Sequence, residues 1–273
     1  MSGLYSIVNQ ELIPQETASI LVKDLSIQRG YGVFDFLKLV NGKPVFIDDH
    51  LARFFNSAAE MRLEISQTPE ELKELISILT TKNNLPDSGV RMTLTGGYSD
   101  DGFSLAKPNL IITQQALTFN NENKGIRLVT YPHQRQFPHV KTIDYLMAVW
   151  LKKYIAENNG EDVLYHHNGM VTECPRANFF IVDAKDTVIT PANNILTGVI
   201  RKHVLALSQS GYKIEEKEIS LEDIYYAKES FITSTTKNIL PVIMVDGKVI
   251  GTGNTGEITR SLQKDLKQIT SQD

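Results

Sequence analysis

Four stretches of the chain carry residue types that could act together chemically. They are a lysine in HVKTIDYL (Lys141), a glutamate in VTECPRANFF (Glu173), a glycine opening GVIRKHVL (Gly198) and the hydroxyl run of ITSTTKNILP (Thr235, Thr236). A lysine amine attacks a carbonyl carbon when it is neutral, and burial beside other cations favours that state. A carboxylate set apart from other charge can hold a proton on a ligand's ring nitrogen. Exposed amides at a helix start bind phosphate, and a turn of hydroxyls and amides can complete the cradle. Singly, each feature has an ordinary explanation: a solvated lysine or glutamate, a glycine that helps the chain turn, a Ser/Thr turn. Together they are the parts that would hold a ligand bearing an aldehyde, a ring nitrogen and a phosphate.

These groups need elements to position them. Lys141 reads as the opening of an amphipathic helix over 141–156, after a turn at Phe137 and Pro138. Glu173 lies at the end of the strand-like EDVLYHHNGMVTEC, Gly198 precedes an apolar-periodic helix, and the hydroxyl run ends the strand ESFITSTTK. The first half predicts a hairpin around Asn9 and a second at Asn41-Gly42, a pair suited to positive φ. It also predicts a helix capped by Asp48 or Asp49, a helix capped by Thr68, and two strands, GVRMTLT and NLIITQQAL. The polar, turn-rich TFNNENKG divides the chain into a small α+β domain over 1–117, a linker over 118–125 and a larger domain over 126–273.

Composition narrows the function classes. The 273 residues are 41% hydrophobic and 22% charged, ordinary for a globular enzyme. A net charge of -4 gives no basic field for nucleic acid or an anionic membrane surface. The single cysteine, Cys174, permits no intrachain disulfide and no cysteine-based metal site, and it suits a reducing compartment. No apolar run approaches the ~20 residues of a membrane helix. The opening MSGLYSIVNQELI lacks the basic-then-apolar pattern of a secretory signal. A cytoplasmic protein without a metal site is the expectation.

The motifs RGYGVFDFL, HLARF, KTIDYL, TECPRANFF, ILTGVIR and TSTTKNILPV, spread over nearly the whole chain, resemble the class IV, fold-type-IV aminotransferases. These include D-amino acid aminotransferases, branched-chain aminotransferases and aminodeoxychorismate lyases. The resemblance implies a two-domain α+β D-amino acid aminotransferase-like fold, its larger C-terminal domain built on a barrel-like mixed sheet. It implies pyridoxal 5'-phosphate as cofactor and a homodimer with the active site at the interface. Lys141 matches the Schiff-base lysine, and Glu173 the acid that pairs with the pyridine nitrogen, with Asn178 completing the motif. Arg53 matches the arginine that binds the phosphate from the first domain, and Leu196 the leucine under the ring. Gly198, Val199 and Ile200 match the helix start at the phosphate, and Thr235 a phosphate-binding hydroxyl. Thr236 would lie near the substrate, and Tyr145 within reach of the ring hydroxyl. The implied reaction is a ping-pong transfer of an amino group between an amino acid and a 2-keto acid.

Three departures from the family pattern bear on the substrate or the phosphate. The family pattern Gly-Asp-Gly-Val-(Phe/Tyr)-Glu reads here Gly30-Tyr31-Gly32-Val33-Phe34-Asp35, so Phe34 lacks the hydroxyl of a tyrosine common near the substrate. Ile200 stands where a threonine is common. Familiar D-amino acid enzymes carry an Arg-x-His carboxylate trap after the strand matching GVRMTLT, and the corresponding loop here is GGYSDDGFS. Arg29 and Arg91 are then the expected substitute trap, Arg29 from the same or a neighbouring subunit, with Arg176 in reserve. D-amino acids are the expected substrates. A branched-chain L-amino acid aminotransferase and an aminodeoxychorismate lyase are the alternatives on the same scaffold.

Overall fold

The computed structural model describes residues 3–118 and 124–272. The chain forms two compact units, one of Met1–Phe119 with Val140–Asp144, the other of Asn120–His139 with Tyr145–Asp273. Residues 119–123 of the expected linker lie outside the described residues.

The first unit holds β1 (Tyr5–Val8), β2 (Glu11–Pro14), α1 (Leu25–Arg29), β3 (Gly32–Val40), β4 (Lys43–Pro44), α2 (Ile47–Glu60), α3 (Pro69–Asn83), β5 (Ser88–Thr95) and β6 (Leu110–Ala116). The strands make one antiparallel sheet in the order β2-β1-β6-β5-β3-β4. Alternation decides its faces: Val33, Leu37, Leu39, Val90, Met92 and Leu94 turn inward against Leu51 and Phe54 of α2 and Leu72, Ile76 and Leu79 of α3. Both expected hairpins are present. Asn9 and Gln10 in the first, and Asn41 and Gly42 in the second, take positive φ. Thr68 caps α3 in a reciprocal capping box with Glu71.

Two expectations need correction here. Neither Asp48 nor Asp49 caps α2. Phe46 occupies the cap position at φ 55 without a side-chain bond, and the two aspartates sit in the first turn, where they favour the helix through its dipole. The helix expected over 141–156 does not begin at Lys141. Residues Val140–Asp144 run extended beside β3, where Val33 bridges Thr142, the Phe34 N–H donates to the Lys141 carbonyl (2.9 Å) and the Ile143 N–H to the Gly32 carbonyl (3.0 Å). Pairing with a strand far earlier in the chain overrides the local helical pattern.

The second unit holds β7 (Ile126–Pro132), α4 (Leu146–Trp150), α5 (Lys152–Glu157), β8 (Asp162–His167), β9 (Met170–Val171), β10 (Glu173–Cys174), β11 (Ala177–Val182) and β12 (Val188–Thr190). It continues with α6 (Val199–Ala206), a short 3-10 helix, β13 (Ile214–Glu216), α7 (Leu221–Tyr226), β14 (Glu229–Ser234), β15 (Asn238–Val245), β16 (Lys248–Val249) and α8 (Glu257–Gln272). Its ten-stranded mixed sheet follows the path β13-β12-β11-β14-β15-β7-β8-β9. The sheet curls back on itself: the Thr172 N–H, just past β9, donates to the Tyr165 carbonyl of β8, while β10 pairs with β11. The single strand expected up to Cys174 is thus three short ones, broken at Asn168 and Gly169, which both take positive φ. Among the described residues, no helix is long and apolar enough to cross a membrane.

Candidate active site

In the first unit, β3, β5, α2 and the segment Val140–Asp144 gather the charged groups. Asp35 of β3 is wholly buried and accepts from Arg53 Nε (2.8 Å) and Nη2 (2.9 Å), from the Phe36 N–H (2.7 Å), and pairs with His50 Nδ1 at 2.7 Å. His50, Arg53 and Ser57 recur along α2 at i, i+3 and i+7, so one helix face serves all three contacts. Burial alone would raise the Asp35 carboxyl; Arg53 and His50 beside it hold it well below the usual carboxylate range. Burial pushes His50 down; Asp35 opposes this, and the charges of Arg53 and Lys141 add to it. Ser57 Oγ accepts from the Lys141 N–H at 3.2 Å, which fixes the lysine's backbone from the helix side. The Lys141 amine stands 4.6 Å from the centre of the Phe34 ring, and the Arg91 guanidinium 3.8 Å from the same centre.

The structure therefore brings Phe34, Arg91 and Lys141 together. Arg29 is placed differently: it ends α1, exposed, 4.4 Å over the ring of Phe103 in the loop after β5. The two aspartates of that loop are engaged. Asp100 pairs with Lys23 at 3.1 Å, and Asp101 accepts from Ser99, Phe103 and Ser104. Those hydrogen bonds, Ser104's foremost, keep Asp101 below the usual carboxylate range.

In the second unit, Glu173 is buried where β10 meets β11, directly across the ladder from Asn178. Its Oε1 accepts from Arg135 Nε (2.9 Å) and Nη2 (2.7 Å), and its Oε2 from the Leu196 N–H (3.0 Å). Asn178 Nδ2 donates to the Leu196 carbonyl at 2.7 Å, so one loop residue is held by both members of the motif. Gly198 is the N-cap of α6, with no capping side-chain bond among the described residues. A Cβ there would come within 2.1 Å of Asn178 Oδ1. Val199 and Ile200 are buried, with first-turn amides that an α-helix leaves without intrahelical partners. Thr235, half-buried, and Thr236, exposed, form the turn between β14 and β15. Tyr145 precedes α4 and Arg176 is exposed.

Arg135 and His50 were not singled out by sequence. Arg135 lies six residues before Lys141 in an irregular stretch without periodicity. His50 carries one weak signal, its helical spacing from Arg53.

Each unit thus carries groups suited to an anionic ring ligand. The first has a partly buried arginine fixed by a carboxylate, and a lysine whose charge acts on the His50 beside it. The second has a buried, oriented carboxylate and an uncapped helix start. Known proteins resemble the chain over nearly its whole length. The amino-transferase class IV model matches residues 32–245. A D-alanine aminotransferase of Bacillus licheniformis is 28% identical over 95% of this chain and 94% of its own. A protein of Methanocaldococcus jannaschii assigned as a branched-chain-amino-acid aminotransferase is 32% identical over 96% of this chain and 95% of its own. The branched-chain amino acid aminotransferase from Escherichia coli superposes with a TM-score of 0.89 at 23% identity, covering 98% and 94% of the two chains. The chain belongs to the class IV aminotransferases.

Pyridoxal 5'-phosphate is the cofactor of that family, and the residues present fit it. Glu173 is a buried carboxylate already oriented by Arg135 and the Leu196 amide. The position before the first-turn amides of α6 is a glycine whose side-chain space is taken by Asn178, and amides at such a helix start suit a phosphate. Lys141 is an amine of the kind the cofactor needs, and Asp35 holds Arg53 in a fixed bidentate orientation.

Proposed function

We propose that the protein is a transaminase of D-amino acids, passing the amino group to a 2-keto acid in two half-reactions. The observation that carries the choice of substrate is Arg91, set on the Phe34 ring beside Lys141, in a chain whose loop after β5 offers aspartates in place of a basic trap. Arg91, joined by Arg29 of a neighbouring subunit, takes the substrate α-carboxylate through a planar fork that a lysine could not match. When bound, pyridoxal 5'-phosphate supplies the sink for the electrons left on the substrate α-carbon. Lys141 holds the cofactor covalently between turnovers and, once released and neutral, its Nζ takes and returns the α-proton. Glu173 keeps a proton on the ring nitrogen, while Arg135 and the Leu196 amide keep its carboxylate aimed. In the second unit the amides of Val199 and Ile200 and Thr235 Oγ1 would hold the phosphate, Leu196 would support the ring, Tyr145 would meet its hydroxyl and Thr236 would border the substrate; the family match gives Arg53 of the first unit a phosphate role as well.

The 32% identity to the branched-chain relative supports a second reading, transamination of branched-chain L-amino acids. One experiment separates the two: a panel of D- and L-amino acids with 2-oxoglutarate and pyruvate as acceptors. D-alanine or D-glutamate should turn over fastest. Faster turnover of L-leucine would install the second reading, and pyruvate formed without any acceptor would make the enzyme a lyase. Borohydride reduction of the working enzyme should fix the cofactor on Lys141, and an adduct on another lysine would sink that assignment.

The homodimer belongs to the same proposal. Helix α4 buries none of its residues, and Leu146, Val149 and Trp150 are 72%, 70% and 63% exposed. Apolar side chains so placed on a short helix suit contact with a second copy. Light scattering should give twice 30.7 kDa, and a fully active monomer would refute it.

A further inference from the structure

Phe34 lies where three pieces of the first unit meet. Its N–H donates to the Lys141 carbonyl, its neighbour Val33 bridges Thr142, and across the sheet it faces Thr93 of β5. Thr93 Oγ1 in turn accepts from Arg91 Nε at 3.3 Å. The ring is buried, yet two cationic groups lie close to it, the Arg91 guanidinium at 3.8 Å and the Lys141 amine at 4.6 Å from its centre. The guanidinium carbon and the amine nitrogen are therefore no further apart than the sum of those distances. Two like charges this close repel, and the negative face of an aromatic ring offsets that repulsion.

We propose that Phe34 is a positioning residue whose ring seats Lys141 and Arg91 together and so sets the spacing between the carboxylate-binding cation and the proton-transferring amine. The inference rests on the reading of Lys141 as the cofactor lysine and Arg91 as a carboxylate contact. It adds that Phe34 acts through its π face, so the hydroxyl absent relative to the family's tyrosine is not required. Of the charged and titratable groups, Arg91 of β5 shares the ring with the amine and His50 of α2 feels its charge, while Asp35 of β3 and Arg53 of α2 pair with that histidine. Among them the ring favours the ammonium, and Arg91 disfavours it.

The test uses the full chain freed of cofactor. Lys141 is acetylated competitively across a pH series and its labelling midpoint read by mass spectrometry against the exposed Lys153. Phe34→Leu should lower the midpoint by about half a pH unit or more. Phe34→Tyr, which keeps the ring face, should leave it in place, and Arg91→Gln should raise it. With cofactor restored, Phe34→Leu should raise KM for an amino acid more than for a simple amine without a carboxylate, a split that general loosening would not produce. A Phe34→Leu protein with native circular dichroism and an unmoved midpoint overturns the proposal, as do equal shifts in the Leu and Tyr variants. Borohydride fixation in the same samples reports separately on the underlying reading, since an adduct away from Lys141 fails that reading whatever the midpoints do.

Discussion

Asp35→Asn removes one charge and almost no volume from a fully enclosed ionic group of the first unit. In the wild type the carboxylate receives both arms of Arg53, the Phe36 N–H and the His50 ring nitrogen, all at 2.7 to 2.9 Å, with no solvent exposure. Breaking a buried pair from one side costs about 3–5 kcal/mol, because the remaining charge is left without compensation. The amide still accepts through one oxygen, so the lower end, about 3 kcal/mol, is the expected loss. For a chain of this size that is a fall in Tm of roughly 6–12 °C, at about 2–4 °C per kcal/mol. The pH dependence gives an independent check. The folded pKa of Asp35 lies below its unfolded value of 3.8, so its contribution is complete above that value and is lost as pH falls toward the folded one. The asparagine cannot titrate. Thermal unfolding followed by circular dichroism should therefore show a gap between wild type and variant that is full at pH 7 and narrows below about pH 4. A gap under about 1 kcal/mol at pH 7, or one that stays constant down to about pH 3, would refute the reasoning.

Glu173→Gln keeps the shape of the carboxylate and the Leu196 contact, so the protein should still bind cofactor but lose most of its turnover; near-normal transamination would show that another acid protonates the ring nitrogen. Lys38 is buried on β3 and its amine is pushed down by that burial to about 8, against 10.5 in the unfolded chain. Between those values the unfolded chain binds the extra proton, so stability should rise with pH across the window, by up to about 3 kcal/mol. Lys38→Met should abolish that rise in urea titrations, and an unchanged pH slope would remove Lys38 as its source. Gly198→Ala would drive a methyl into Asn178 Oδ1 and displace its bond to Leu196. Overpacking of this kind costs about 1–3 kcal/mol, and weaker pyridoxal 5'-phosphate binding to the apo form is the expected readout.

Local chemistry made much of this molecule legible. Asn9 and Asn41-Gly42 announced their turns because few other residues tolerate positive φ, and Thr68 with Glu71 announced a capping box. The alternation of Val90, Met92 and Leu94 gave the buried face of β5, and the spacing of Glu173 and Asn178 foreshadowed residues that face each other across a ladder. What escaped depends on partners far away in sequence. A helical pattern from Lys141 onward is real, but backbone pairing with β3 takes its first residues. Phe46, not an aspartate, starts α2, because the chain must turn sharply out of β4. Arg135 carries no pattern of its own and acquires meaning only from the carboxylate it grips.

The five residues Val140–Asp144 have a consequence for synthesis. The chain completes the strands of its first sheet by Ala116, yet the edge at Gly32–Phe34 waits for a segment made after residues 120–139 of the other unit. Until Thr142 clears the ribosome, that stretch of β3 offers unpaired amides and carbonyls, the kind of edge on which nascent chains pair wrongly with one another. The amine-bearing residue is thus also the late-arriving cover of an early strand. A fragment ending near residue 118 should be sticky for that reason, and one extended past Asp144 markedly less so.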